Sequence, residues 1–342
     1  MTILALNAGS STLKFALFDG GPALTLRFKD QAQGTGAGAL AAVFERLQRK
    51  DVDVTQLAGI GHRIVHGGTD FSTPVIVNND IETRLNELRP LAPLHQPYGL
   101  DALRLMREMA PNVPQVACFD TAFHTTQPEI AQRFPLPARY FEQGYRRYGF
   151  HGLNYEHVVH NLPAETGAPL PERLLIAHLG NGASLCAVKD GRSVATTMGY
   201  STLDGLVMGT RPGALDPGLI LAIMKDERLS PEEMEEILYK KSGLMGLSGL
   251  TSDMRSLLET PAPAAQHAVE AYCYWAARQA GSLITAMGGI DAMVFTGGIG
   301  ENALPVRRRI LHHLGWIKAF SVHIMLANEE VVIARHTTGL IT

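Results

Sequence analysis

Two stretches of the chain repeat one design, and that repeat limits the folds open to it. Residues 3–6 (Ile-Leu-Ala-Leu) are an apolar run that breaks at Asn7-Ala8-Gly9-Ser10-Ser11-Thr12. The run resumes as Leu13-Lys14-Phe15-Ala16-Leu17-Phe18 and stops at Asp19-Gly20. Residues 174–191 follow the same scheme: Leu-Leu-Ile-Ala-His-Leu, the turn Gly180-Asn181-Gly182, a second apolar run from Ala183 to Val188, then Asp190-Gly191. Strand, small polar turn, strand is a hairpin. Asn7-Ala8-Gly9-Ser10 and Asn181-Gly182-Ala183-Ser184 are expected at equivalent places. One hairpin in each half implies a duplicated fold, with backbone N–H donors in each turn for a phosphate group. A nucleotide polyphosphate held between two domains uses such a pair.

At 342 residues the chain exceeds one ordinary core, which predicts two domains. The apolar share of 46% is enough to fill both, and 18% charged residues argue against disorder. Thirty basic against 33 acidic side chains leave no general field for nucleic acid. The one basic cluster, Arg307-Arg308-Arg309, reads as a solvated helix face. Cys118, Cys186 and Cys273 are far apart and flanked by apolar residues, the pattern of reduced, buried thiols in a cytoplasmic protein. No apolar run approaches the ~18 residues of a membrane span, and no basic leader opens the sequence.

Further signals lie between and after the hairpins. Ile290 to Phe295 read as a buried strand that opens through Gly297, Gly298 and Gly300 into a helix beginning near Val306, a form suited to anions and nucleotides. Gly298-x-Gly300-x-x-Ala303 is not a dinucleotide fingerprint. That reading wants an acidic residue roughly 20 positions on, and Trp316 to Asn328 contain none. Ile60 to Gly68 read as a strand ending in glycines. Its His62 and His66 share a face without a third ligand at zinc spacing. Arg63 beside them is a residue that grips carboxylate or phosphate through two bonds. Asp120 follows the strand Val116 to Phe119, where α/β proteins place catalytic groups. His151 follows an aromatic-rich loop, and Arg211 lies in a long glycine-rich loop over residues 199–218. Ser230-Pro231-Glu232-Glu233 is a helix start with a capping box, Ala265 to Met287 predict a long amphipathic helix, and Val322 to Met325 a closing strand.

The motifs Asn7 to Phe15, His62 to Gly68, Phe119 to His124, His178 to Gly182, Met208 to Arg211 and Asn328-Glu329-Glu330 occur in the order of one family. The chain resembles the acetate kinases, in the short-chain acyl kinase branch of the acetate and sugar kinase, heat-shock ATPase and actin superfamily, nearly end to end. The resemblance implies an α/β fold built as a duplicated actin-like (ribonuclease H-like, βββαβαβα) ATPase, two domains around a nucleotide cleft, and a homodimer. The bounds expected are 1–122 plus 328–342 for the first domain and 123–327 for the second. The implied reaction is reversible, direct in-line phosphoryl transfer from ATP to acetate, giving acetyl phosphate and ADP, with Mg²⁺ or alternatively Mn²⁺.

Carried over by motif, Asn7 and Glu329 match the metal positions and Arg63 the acyl-substrate arginine. Asp120 matches the catalytic acid/base, and His151 and Arg211 the transition-state stabilisers. Lys14, then His178, Leu179, Gly180, Asn181 and Gly182, then Asp253, Met254 and Arg255, then Gly298, Ile299, Gly300, Glu301 and Asn302 match the ATP-contacting stretches. Gln96 stands where the family usually has asparagine, Thr202 where it has a proline of the acyl pocket, and Ala214 where it has aspartate. These departures leave a propionate-preferring kinase as the alternative. A nucleotide-binding clamp without turnover would have the same fold, but no use for Arg63, Asp120, His151 and Arg211 together. The chain is also shorter than the resemblance implies, near residues 20–40 and between Trp316 and Val322.

Overall fold

The computed structural model describes residues 1–9, 12–20 and 24–342, so Ser10 and Ser11 of the first turn lie outside the described residues. The chain forms two compact units. The first comprises Met1–Thr125, Phe150–His157 and Asn328–Thr342, and the second Thr126–Gly149 and Val158–Ala327. His151 thus belongs to the first unit, outside the bounds expected for that domain.

The first unit holds the strands β1 (Thr2–Ala8), β2 (Thr12–Asp19), β3 (Thr25–Gln33), β4 (Gly59–Ile64), β5 (Val75–Ile76) and β6 (Gln115–Phe119). They form one sheet in the order β3-β2-β1-β4-β6-β5. β1, β4 and β6 run parallel, while β2, β3 and β5 pair antiparallel. The second unit holds β7 (Arg173–Leu179), β8 (Ala183–Lys189), β9 (Arg192–Thr196), β10 (Ala292–Thr296) and β11 (Ser321–Ile324). Read from the other edge, its sheet runs β9-β8-β7-β10-β11, with β7, β10 and β11 parallel and the hairpin strands antiparallel. The two sheets therefore share one topology, plus a short extra edge strand in the first. Each also carries a register shift at the same joint, between Leu17 and Phe18 in one and between Ala187 and Val188 in the other.

The pairing corrects the expected match between the two turns. Asn7 lies opposite Lys14 in the β1–β2 ladder, and the residue in that place in the second hairpin is His178, opposite Ser184. Asn181 sits in the turn itself, because Leu179 already pairs with Ala183.

Side-chain alternation explains the layers of the first unit. Leu4, Leu6, Phe15 and Leu17 point to one face and pack with Leu40, Val43 and Leu47 of the helix Gly36–Gln48 and Met106 of the helix Gln96–Met109. Ile3, Ala5, Ala16 and Phe18 point to the other, against Leu153, Val332, Ile333 and Ala334. The last three lie on the helix Glu329–Ile341. Gly61 makes room for that helix: a Cβ there would meet Thr337 Oγ1 at 2.2 Å and Ile333 Cγ2 at 2.5 Å. Glu329 thus opens a helix.

In the second unit the helix Pro263–Met287 packs on β7, β8 and β9, and its buried residues include Ala268, Ala276 and Ala280. The capping box holds at Pro231–Lys240: Glu233 N–H donates to Ser230 Oγ at 3.2 Å and Ser230 N–H to Glu233 Oε2 at 2.8 Å. Residues 314–320 join the helix Leu304–His313 to β11, which accommodates the shortness noted near Trp316. The three cysteines are free and buried. Among the described residues no helix is long and apolar enough to cross a membrane.

Candidate active site

The topology of the first unit gathers three of the expected residues on neighbouring parallel strands. Leu6 pairs with His62, and Ile64 with Phe119. Asn7 on β1, Arg63 on β4 and Asp120 just past β6 therefore meet at the carboxyl ends of adjacent strands, where open α/β sheets bind ligands. Arg63 donates to Asp120 Oδ2 from Nε at 2.9 Å and from Nη2 at 2.5 Å, and from Nη1 to Asn7 Oδ1 at 3.3 Å. Asn7 Nδ2 donates to Glu329 Oε2 at 2.7 Å and Glu330 Oε1 at 2.8 Å. Glu329 Oε2 also lies 3.8 Å from Arg63 Nε.

Burial dominates the electrostatics here. It pushes Asp120 up to about 6, a rise that Arg63 opposes and Glu329 reinforces. Burial works against the Arg63 cation, but Asp120, Glu329 and Glu330 more than offset it and hold it firmly protonated. Asp120 Oδ1 is buried and has no hydrogen-bond partner among the described residues. An unpaired buried carboxylate oxygen is costly unless a ligand completes it.

The carboxylates of Glu329, Glu330 and Asp120 and the amide oxygen of Asn7 are hard oxygen ligands, while the Asn7 amide nitrogen is turned onto the two glutamates. Mg²⁺ in phosphoryl-transfer sites takes one or two carboxylates plus phosphates and waters, so this set suits that ion. By contrast His62 and His66 are buried and neutral, with burial lowering both to about 4. His62 Nε2 bonds Gln115 Oε1 at 2.7 Å, and His66 Nδ1 accepts from Gly68 N–H at 2.8 Å. Gln96 is fully buried and brackets His66, accepting from its N–H and donating to its carbonyl, both at 3.0 Å. Its extra methylene, relative to asparagine, serves this double bond.

His151 is brought beside Asp120 by backbone contact. Gly152 N–H donates to the Asp120 carbonyl at 2.9 Å, and a Cβ on Gly152 would meet that oxygen at 2.1 Å. Only glycine permits so close an approach. His151 itself holds φ at 61°, an uncommon conformation for a residue with a Cβ.

In the second unit a cavity of about 450 Å³ joins three of the expected stretches. Gly180 and Asn181 line it from the hairpin turn, Asp253 to Arg255 from a helix start, and Gly298, Ile299 and Asn302 from the loop after β10. Leu258, Glu259, Ala303 and Pro305 complete the wall and were not expected. Leu258 and Glu259 fall four residues after Met254 and Arg255 on the helix Met254–Glu259, so helical spacing was the available signal.

His178, Leu179, Gly182, Gly300 and Glu301 are not on this wall, and neither is Lys14, an exposed first-unit residue opposite Asn7. Leu179 is fully buried. Glu301 turns its carboxylate onto Gly297 N–H at 2.9 Å and Ala327 N–H at 2.8 Å, so the N–H of Gly297 is already engaged. Asp253 is the N-cap of its helix, accepting from Ser256 N–H at 2.9 Å and Ser256 Oγ–H at 2.7 Å. Those bonds hold its carboxyl below the ordinary range. Arg307 is half-buried and donates to the carbonyls of Gly300 and Glu301 at 2.8 Å each.

Arg211 connects to the same turn. Gly209 N–H donates to the Asn181 carbonyl at 3.0 Å, and a Cβ on Gly209 would meet Asn181 Oδ1 at 2.1 Å. Arg211 itself is buried and donates from Nη1 to the Thr202 carbonyl at 2.8 Å. Burial pulls it down to about 10, with Tyr239 opposing, so it remains a cation at neutral pH. No carboxylate pairs with it among the described residues.

Known proteins resemble this chain over most of its length. The pattern of the acetokinase family matches residues 26–329. The acetate kinase of Methylocella silvestris is 41% identical over 394 aligned positions, covering 99% of this chain and 98% of the relative. That of Rhodopseudomonas palustris is 42% identical over 344, covering 92% and 86%. Among solved structures, an acetate kinase of Porphyromonas gingivalis superposes with a TM-score of 0.86 at 30% identity over the whole of both chains. A propionate kinase of Francisella tularensis gives 0.89 at 32% identity over 99% of both. The 342 residues of this chain spread over 394 aligned positions with the Methylocella silvestris protein, so that alignment opens gaps in this chain. The chain belongs to the acetokinase family, with the duplicated actin-like fold, and is a kinase whose phosphoryl acceptor is the carboxyl group of acetate.

Proposed function

We propose that the chain transfers the γ-phosphoryl group of ATP directly and in line to acetate, reversibly and with Mg²⁺, through the residues gathered at the two sites above. The observation that carries this reading is the Asn7–Arg63–Asp120–Glu329 network. It combines a fixed guanidinium, oxygen donors for a hard cation and one buried carboxylate oxygen left to be completed. Acetate is already a nucleophilic anion at neutral pH, so the protein's task is orientation and charge neutralisation.

Arg63 fixes the acetate carboxylate. Asp120, ionised above about pH 6, holds the guanidinium in place and orients the acceptor. Asn7 and Glu329 hold the metal, which when bound neutralises charge on the β- and γ-phosphates. The 450 Å³ cavity takes the nucleoside, with the Gly180–Gly182 turn toward its phosphates. Arg211, a buried cation lacking a carboxylate, and His151 offset the charge of the migrating group. Lys14 supplies a further positive charge for ATP.

Propionate is a second substrate on this reading. Thr202 stands where the family has proline, and its carbonyl holds Arg211, so one wall of the acyl pocket changes shape while the catalytic arginine stays anchored. A homodimer is supported by an apolar cavity of about 650 Å³ in the second unit, bordered by the half-exposed Leu215, Leu247 and Tyr274. The three free, buried cysteines support a cytoplasmic location. The test is ADP release with acetate, without acetate, and with EDTA. Release that needs neither acetate nor a divalent metal would overturn the assignment of roles.

A further inference from the structure

Glu301 does not line the proposed nucleotide cavity, and its carboxylate joins two places in the chain. Oε1 accepts from Gly297 N–H at 2.9 Å and from Ala327 N–H at 2.8 Å. Gly297 is the bend, at φ 77°, where β10 turns into the short helix whose Gly298, Ile299 and Asn302 line the cavity. Ala327 is the last residue of the second unit, and Glu329, two residues on, opens the helix that belongs to the first. The loop is otherwise firmly held, with Asn302 donating to the Gly298 carbonyl at 2.9 Å and Arg307 donating to those of Gly300 and Glu301. A Cβ on Gly297 would meet the Leu179 carbonyl at 2.8 Å, so the bend rests on the strand that leads to the phosphate-side turn.

We propose that Glu301 is a positioning residue that ties the nucleotide loop to the crossover segment 325–329, so that filling the nucleotide cavity fixes the place of Glu329. This rests on the reading of Glu329 as a metal position. One oxygen shared by two backbone donors from segments 30 residues apart (297 and 327) makes the loop and the crossover a single mechanical unit. A carboxylate accepting backbone N–H groups is among the stronger hydrogen-bonding arrangements. Ordering one partner therefore lowers the freedom of the other.

Hydrogen–deuterium exchange of the full-length protein tests this without metal, in EDTA, with ADP as the probe. In the wild type, ADP should slow exchange both in residues 297–302 and in residues 325–329. In Glu301→Ala the crossover should exchange about 10- to 100-fold faster, and ADP should protect the loop alone. Glu301→Gln keeps an acceptor oxygen and should restore the linked protection in large part. Glu301→Asp, one methylene shorter, cannot span both donors and carries the same test if the alanine variant does not fold. In turnover assays Glu301→Ala should raise the Mg²⁺ concentration for half-activation about tenfold at saturating ATP, a change that a merely structural role would not produce. Crossover protection by ADP that is equal in wild type and Glu301→Ala overturns the proposal. A wild type whose turnover needs no divalent metal overturns instead the reading of Glu329 on which it rests.

Discussion

Gly152→Ala isolates the placement of His151 and Asp120 from their chemistry, because it changes neither side chain. The added Cβ would sit 2.1 Å from the Asp120 carbonyl oxygen, 2.9 Å from Phe123 Cβ and 3.0 Å from the Asp120 carbonyl carbon. Ordinary contact begins near 3.4 Å, so the nearest pair, at 2.1 Å, must separate by about 1.3 Å. The obstacle is backbone, which cannot swing aside as a side chain would. Overpacking of this kind costs about 1–3 kcal/mol. The Gly152 N–H bond to Asp120, at 2.9 Å, must lengthen or break in the process. A misplacement of about 1 Å near the chemistry lowers turnover about 100-fold. The variant should therefore remain folded, melt a few degrees lower, and lose about two orders of magnitude in kcat with a nearly unchanged KM for ATP. Circular dichroism and a coupled ADP assay report both quantities. Wild-type kcat in a variant that carries the alanine would refute the claim that this contact sets the position of His151.

Other expectations follow from the same geometry. Gly298→Ala adds a methyl where no atom lies within 4 Å, but on the cavity wall, so stability should hold while the KM for ATP rises; an unchanged KM would move the nucleotide elsewhere. Arg63→Ala should abolish most turnover and cost about 3–5 kcal/mol of stability at pH 7.5, since it strands the buried Asp120 carboxylate. That loss should shrink near pH 5, where Asp120 takes up a proton, so urea unfolding at both pH values would contradict the pairing if the loss were equal. Asp120 titrates near 6 in the folded protein, above its unfolded value, so it binds a proton in the native state between about pH 4 and 6. Its contribution to stability therefore falls as pH rises through that window, while kcat/KM for acetate should rise; a profile flat from pH 5 to 8 would exclude an essential ionised Asp120. Propionate should be turned over about 10- to 200-fold less efficiently than acetate, one methylene being worth no more, and a complete lack of product would show a closed pocket.

Part of the candidate site's geometry was legible because short motifs report local structure. A carboxylate at the end of the strand Gln115–Phe119 and an arginine near the end of Gly59–Ile64 meet because parallel neighbours end at the same edge. The sequence could not show how each side chain spends its hydrogen bonds. Asp253 and Glu301 lie within nucleotide-loop motifs, yet their carboxylates are occupied by backbone donors. Arg307 reads as surface charge but caps carbonyls, because its stem is long enough to reach back across a turn. The two hairpin turns look aligned by their Asn-x-x-Ser spelling, while the ladder aligns Asn7 with His178; register depends on pairing partners that no single strand reveals. The segment near Phe150 falls in the first unit for a similar reason: Leu153 packs in that unit's core and Gly152 N–H bonds the Asp120 carbonyl, contacts between residues far apart in the sequence.

The helix Glu329–Ile341 has a consequence for the way this protein is made. Its Val332, Ile333 and Ala334 are fully buried against Ile3, Ala5, Ala16 and Phe18, so one face of the first sheet stays uncovered until they arrive. During synthesis residues 329–341 emerge after every residue of the second unit. The usual order, in which the amino-terminal domain folds first, is thereby reversed for the final step: the second unit can close while the first still shows an apolar face to chaperones and to other nascent chains. The same late helix delivers Glu329, so the metal position proposed above would be completed in the same event that covers the first core, and a chain stalled before residue 329 would hold the proposed nucleotide cavity without that carboxylate.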